Sequence, residues 1–182
     1  MVKSWIRRDV AISVVSVLLS FALGIWGGFK ISQEFYDKSQ EDVRADIING
    51  ALTDIILWYH PEMYPELGDS SKYINSGTPW SYLSTAGLDR LFANLLSYQN
   101  AESFELLVDR VCYCKKYADA FNDRMTLRNQ TILHAPSATK LHNPKAVSYF
   151  HSTVKPRADS LRVFLVTHMD ELVYQKKGEA AK

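Results

Sequence analysis

The chain has 182 residues and a formal net charge of +1, which allows one domain with a modest core and leaves little room for a second. The charge is unevenly distributed, because positions 1–31 hold four basic side chains against one aspartate and leave −2 for the remainder. A region so close to neutral lacks the basic surface that nucleic-acid binding requires. We therefore predict no nucleic-acid partner.

The stretch VAISVVSVLLSFALGIWGGF, residues 10–29, carries no charged side chain. As a helix rising about 1.5 Å per residue it would span about 30 Å, the thickness of the hydrocarbon layer of a bilayer. Trp26 and Phe29 are placed where aromatic side chains meet the membrane interface. We therefore predict a transmembrane helix over 10–29, preceded by a short basic tail over 1–9, with lipid as its surroundings.

Two alternatives fit part of the same stretch. A signal peptide also combines a basic start with an apolar run, and Ser20 and Ala22 are small enough to form a cleavage site. Against cleavage, the apolar character continues beyond Ala22 to Phe29. The other alternative, a buried core helix, seldom needs so long an apolar run. A secreted helical domain released from a signal peptide is thus the main alternative to a membrane anchor.

Basic residues before the predicted span indicate its orientation. Lys3, Arg7 and Arg8 lie close to the N-terminus, and a short basic tail resists translocation. We predict a single-pass membrane protein with a cytoplasmic N-terminus and a non-cytosolic main domain. Three basic residues after the span reduce the asymmetry: Lys30, Lys38 and Arg44.

Small residues recur at intervals of four within the predicted span, at Ser16, Ser20, Gly24 and Gly28. This spacing places them along one face of a helix. In lipid, such a face allows the close backbone approach on which helix association depends. We predict that this helix-pairing face forms a homodimer or binds another membrane protein. The alternative is that glycine and serine are merely common in spans.

The predicted span continues into a juxtamembrane helix over 30–59, which contains no proline. Apolar residues recur there at close to helical spacing: Ile31, Phe35, Val43, Ile47, Leu52, Ile55, Ile56 and Tyr59. Residues 60–182 are predicted to form a helical bundle domain. Loops rich in Pro, Gly, Ser and Asn are expected near 60–84 and near 134–144.

Three apolar patterns define helices in the bundle. Ser84 or Thr85 is expected to cap a helix with one apolar face: Leu88, Leu91, Phe92, Leu95 and Leu96. A stripe alternating by three and four then runs through Phe104, Leu107, Val111, Cys114, Ala118, Phe121 and Met125. It fits an antiparallel helical hairpin better than an intermolecular coiled coil, because the flanking positions lack charge complementarity. Pro156 is expected to open a last helix with Ala158, Leu161, Leu165, His168 and Leu172 on one face.

These elements predict an all-α fold, in which an N-terminal transmembrane helix continues into a small three- or four-helix bundle. The segment WSYLSTAGLDRLFANLL, with its W-x-x-L-S-T-x-x-x-D pattern, resembles uncharacterised prokaryotic single-span membrane proteins with a short helical-hairpin domain. The resemblance covers about residues 45–125. It implies this architecture and no known activity.

No pattern in the chain indicates a catalytic or cofactor site. His134, His142 and His151 could converge on a metal, but their spacing is nonspecific for zinc. Cys112 and Cys114 are poorly placed for a mutual disulfide on a helix. We therefore predict no cofactor, and a membrane-anchored protein that acts by protein–protein contact as an assembly, scaffold or sensory subunit. A hydrolytic enzyme or metal-binding protein using the three histidines is a less favoured alternative.

Overall fold

A computed structural model describes residues 2–68, 79–134 and 139–175. Within these ranges the side chains of 2–19, 21, 22, 68, 133 and 139–143 are not described. Every regular element in the described ranges is helical, which confirms the predicted all-α fold. The chain divides into two compact units, Met1–Asp42 and Val43–Lys182.

Seven α-helices are described: α1 (Val2–Trp58), α2 (Pro65–Gly68), α3 (Ala86–Ala93), α4 (Phe104–His134), α5 (Thr139–Tyr149), α6 (Lys155–Thr167) and α7 (Met169–Tyr174). A 3-10 turn, Leu95–Tyr98, follows α3. A π-helical segment, Phe150–Val154, joins α5 to α6.

In the first unit, α1 presents large apolar side chains that are mostly exposed: Leu23, Ile25, Trp26, Phe29, Ile31, Phe35 and Tyr36. Within the described part of the chain, no helix combines the length and apolar character needed to cross a bilayer. The side chains of 10–19, 21 and 22 are not described. The backbone of the predicted span over 10–29 therefore belongs to α1, whereas most of its side chains are not described.

The second unit begins inside α1, at Val43. From that point α1 supplies core side chains that are almost completely buried: Ile47, Ile48, Ala51, Ile55 and Trp58. The predicted juxtamembrane segment 30–59 is therefore divided. Its second part is a structural helix of the bundle, because it packs its apolar face on the other helices.

Helix α4 forms the predicted antiparallel hairpin with the chain that follows it. The Phe121 and Phe150 rings lie edge to face with centroids 5.8 Å apart, and the Arg157 guanidinium lies 4.0 Å above the Tyr117 ring. Of the predicted stripe, Phe104 is half-buried and the other six side chains are buried. The stripe is therefore an intramolecular seam, as the hairpin interpretation predicts.

Helix α3 crosses the bundle portion of α1 at two glycines. A Cβ atom added to Gly87 would lie 2.1 Å from the carbonyl oxygen of Gly50, so only glycine allows the two backbones to approach this closely. The capping prediction for α3 is wrong: the Thr85 side chain makes no capping bond. The Asp54 carboxylate of α1 accepts bonds from the backbone N–H groups of Gly87 and Leu88 at 2.7 and 3.0 Å. A residue distant in sequence thus performs the cap.

The apolar face predicted for α3 is only partly buried. Leu88 and Leu91 are buried, whereas Phe92 is 43% and Leu96 is 74% exposed. For Leu96 the reason is that α3 ends at Ala93 and the chain continues as a 3-10 turn, so the α-helical register is lost before this residue.

Part of the predicted loop near 134–144 is helical, because α5 begins at Thr139 and contains Pro144. Residues 135–138 lie outside the described residues. Proline removes one backbone donor, so Pro144, the sixth of the eleven residues of α5, leaves one helical hydrogen bond unmade. Pro156 stands in the first turn of α6, as predicted. The helical path nevertheless continues backwards from it through the π-helical segment.

Two asparagines of α4 hold the loop segment 79–85 against the bundle. Asn122 accepts a bond from the Leu83 N–H at 2.8 Å and donates to the Leu83 carbonyl at 3.0 Å. Asn129 does the same for Trp80, at 3.1 and 3.0 Å. We call this pair the asparagine clamp. It satisfies backbone groups that no secondary structure satisfies in this segment.

Candidate functional site

A cleft of about 410 Å³ opens between the end of α1 and the start of α6, and we call it the aromatic cleft. Its volume falls within the range of small-molecule sites. Apolar and aromatic side chains form most of its wall: Trp58, Tyr59, Pro61, Tyr64, Leu67 and Phe150. Four polar side chains complete it: His151, Lys155, Asp159 and Arg162.

The polar groups of the aromatic cleft are paired with one another. Lys155 Nζ lies 2.8 Å from Asp159 Oδ2, and Arg162 Nε lies 4.0 Å from Oδ1 of the same carboxylate. The Tyr59 hydroxyl donates to the Lys155 carbonyl at 3.3 Å, and the Lys155 ammonium lies 4.6 Å above the Tyr59 ring.

Burial and neighbouring charges shift two pKa values in the aromatic cleft. Burial raises the pKa of the Tyr59 hydroxyl, and the Asp159 carboxylate raises it further. Burial also acts to raise the pKa of Asp159, but the hydrogen bond and charge of Lys155 outweigh it and hold that pKa below its ordinary value. Tyr59 is therefore a neutral hydroxyl and Asp159 a carboxylate at neutral pH. The cleft is suited to an apolar group more than to proton transfer.

The histidines predicted as a possible metal site are not brought together among the described side chains. His134 is exposed at the end of α4, and the side chain of His142 is not described. His151 lies at the aromatic cleft, where its Nε2 is 2.8 Å from the Leu67 carbonyl oxygen. Among the described residues, no group of three or more His, Cys, Asp or Glu side chains could hold a metal ion.

His168, Cys112 and Cys114, which the sequence analysis also considered, are not part of the aromatic cleft. His168 is partly exposed, with Nδ1 2.9 Å from Glu171 Oε2, so one of its nitrogens is satisfied. Cys112 and Cys114 are both free. Burial raises the pKa of the Cys114 thiol to about 12, so this residue packs as a small apolar side chain.

Sequence reasoning missed Arg128, one of the largest fully buried side chains in the described bundle. Its guanidinium lies 4.2 Å above the Trp80 ring and donates to Asn129 Oδ1 at 3.1 Å. Burial lowers the pKa of Arg128 to about 10, while the buried Glu66 carboxylate acts to raise it. The sequence pattern could have indicated that Arg128 is buried, because Arg128 is the next position of the apolar stripe after Met125.

Two members of the predicted helix-pairing face, Gly24 and Gly28, have open surroundings. A Cβ atom added to either would meet no atom within 4 Å in the described part of the chain. Ser20 is exposed, and the side chain of Ser16 lies outside the described residues.

In comparisons with known protein families, curated proteins and solved structures, nothing matches the chain. The function is therefore inferred from the residues of the chain itself.

Proposed function

We propose that the chain is a single-pass membrane protein whose helical bundle acts by contact with partner proteins, as an assembly, scaffold or sensory subunit. The main observation that supports a membrane anchor is the charge-free stretch over 10–29. At its end Leu23, Trp26 and Phe29 are each more than 60% exposed on one continuous helix. Apolar side chains left in water are unfavourable, whereas lipid accommodates them.

Contact with partners is supported by the surface of the bundle. Several of its helices present large apolar side chains that are more than half exposed: Leu106, Tyr113, Leu127, Val163, Val166 and Tyr174. Exposed apolar side chains of this kind are available for contact with a partner protein, which would remove them from water.

The experiment for the anchor is extraction of the expressed full-length chain from membranes at alkaline pH. We expect it to remain in the membrane pellet until detergent is added. The intact mass of the extracted protein is measured in the same experiment. Loss of about twenty-two residues would show signal-peptide cleavage, and release without detergent would contradict the anchor.

We further propose that the N-terminus is cytoplasmic and the bundle non-cytosolic, since Lys3, Arg7 and Arg8 precede the anchor. A reporter fused after Lys182 is expected to be active only outside the cytosol. Activity in the cytosol would reverse the proposed orientation.

The helix-pairing face is proposed to join two anchors, because its small residues allow close backbone contact. Gly24→Ile is expected to abolish self-association in a bilayer dimerisation assay. Leu18→Ile lies off this face and is expected to leave association unchanged. Equal signals from the two variants would show that the glycines do not mediate pairing.

A further inference from the structure

A second cleft lies on the other side of α6 from the aromatic cleft. It has a volume of about 360 Å³ and is lined by Arg110, Tyr113, Pro156, Arg157 and Ser160. We call it the arginine groove. Arg110 and Tyr113 belong to α4. Pro156, Arg157 and Ser160 belong to α6.

Aromatic rings and hydrogen bonds hold both guanidinium groups in place. Arg110 lies 5.2 Å above the Phe164 ring and donates to the Ser160 hydroxyl. Arg157 lies 4.0 Å above the Tyr117 ring and donates to the Thr153 carbonyl at 2.7 Å. Two planar cations are thus preorganised at one groove, which reduces the entropy lost when a ligand binds.

Neither guanidinium is neutralised by the described part of the chain. No described carboxylate forms an ion pair with Arg110 or Arg157, and none lines the groove. The Nε of Arg110 is buried and has no hydrogen-bond partner among the described residues. In the aromatic cleft, by contrast, Lys155 and Arg162 share the Asp159 carboxylate.

The groove therefore favours an anionic ligand. A guanidinium group presents paired N–H donors that match a carboxylate or a phosphate. Exposed apolar side chains lie one helical turn from Arg110 and Ser160, which are hydrogen-bonded to each other: Leu106 on α4 and Val163 on α6. Tyr113, also exposed, lines the groove itself. An inorganic anion would leave these apolar side chains unused.

We propose that the arginine groove binds an acidic peptide segment of a protein partner, with carboxylates on Arg110 and Arg157 and apolar side chains on Leu106, Tyr113 and Val163. This inference rests on the proposed contact function and specifies the chemistry of the partner. Opposite charge would steer the partner to this face.

The test uses the full-length chain in a neutral detergent and a fluorescein-labelled synthetic peptide with Glu and Leu at helical spacing. Fluorescence anisotropy measures binding. We expect the double variant Arg110→Gln, Arg157→Gln to weaken binding by about tenfold or more. The matched control is Arg124→Gln, which removes a different cation of α4, one that stacks on the Tyr149 ring of α5. We expect this control to bind the peptide as the unmodified chain does.

A second variant separates a folding defect from a loss of recognition. Arg110→Lys with Arg157→Lys keeps both charges but removes the paired donors, so we expect it to restore part of the binding. Circular dichroism of each variant checks that the helical content is unchanged. Equal binding by the Gln variant and the control would overturn the proposal.

Two further arms examine the ligand itself. A peptide with Gln in place of Glu is expected to bind at least about tenfold more weakly, and equal binding would overturn the role of the arginines. Displacement of the acidic peptide by inorganic phosphate, but not by chloride at equal ionic strength, would assign the groove to a small anion and reject the peptide. Membrane extraction is measured separately, so loss of peptide binding alone rejects the groove and leaves the proposed anchor standing.

Discussion

Helix α1 has one portion in the first unit, up to Asp42, and one in the bundle, from Val43. The two portions carry similar apolar side chains but differ in how far these are buried. Ile31 and Phe35 are 56% and 72% exposed, whereas Ile55 and Trp58 are almost fully buried. All four lie on one helix of 57 residues, so helix formation does not explain the difference. The bundle portion has other helices packed on it. An apolar residue is therefore stabilising here only where the chain, a partner or a lipid supplies the opposing surface.

The largest effect that distinguishes the two portions is expected from truncating an isoleucine in each. Ile55→Ala is expected to lower the free energy of unfolding of the bundle by about 3 to 4 kcal/mol, because it leaves a cavity in the core. Ile31→Ala is expected to change it by less than about 0.5 kcal/mol. Denaturant unfolding of the full-length chain in detergent, followed by tryptophan fluorescence, measures both. Equal effects would contradict the division of α1 at Val43.

Glycine substitutions give the second test. Gly50, in the bundle portion of α1, lies against Gly87 of α3, whereas Gly24, in the first unit, has open surroundings in the described part of the chain. Gly87→Ala would drive a methyl group into the Gly50 backbone, and we expect a loss of about 2 to 3 kcal/mol through separation of α1 from α3. Gly24→Ala meets open space in the described part of the chain and should leave thermal unfolding of the bundle unchanged. A stable Gly87→Ala variant would mean that the two helices do not cross this closely.

The asparagine clamp gives a smaller effect. Asn122→Ala removes both hydrogen bonds to Leu83 and is expected to cost about 2 kcal/mol, because it leaves backbone groups unsatisfied. Gln33→Ala, at an exposed position of the first unit, is the control. Hydrogen exchange at the Leu83 amide is the direct measurement, and it should accelerate only in the Asn122 variant.

The smallest effect is a pH dependence at Glu171. Burial acts to raise its pKa, but bonds from the Ser103 N–H and hydroxyl, at 2.7 and 2.9 Å, and from His168 outweigh burial and lower it. A carboxyl whose pKa falls on folding adds stability above its ordinary pKa, and that stability is lost as pH falls through the lowered value.

Glu171→Gln is accordingly expected to cost less than about 1 kcal/mol at neutral pH, since solvent screens this partly exposed group. The difference from the unmodified chain should shrink as the pH falls below the ordinary pKa of a glutamate and through the lowered pKa of Glu171. Unfolding measured at several pH values checks this, with Glu34→Gln in the first unit as the control. A difference that stays constant down to low pH would exclude the carboxylate as its source.

The sequence alone was sufficient for features that depend on residue order along one helix. The stripe from Leu107 to Met125 predicted the buried face of α4, because the helical period places those side chains on one side whatever they pack against. Pro156 likewise marked the first turn of α6. The all-α class followed from apolar residues that recur at helical spacing in each predicted element.

Features that depend on residues distant in sequence were decided by the tertiary structure. Asp54 caps α3 from another helix, and Asn122 and Asn129 hold a loop that precedes them by about forty or more residues. Capping rules consider neighbours along the chain, so they favoured Ser84 or Thr85. The arginine groove has the same origin: Arg110 and Arg157 are 47 positions apart in the sequence, and only the antiparallel packing of α4 on α6 brings them to one surface.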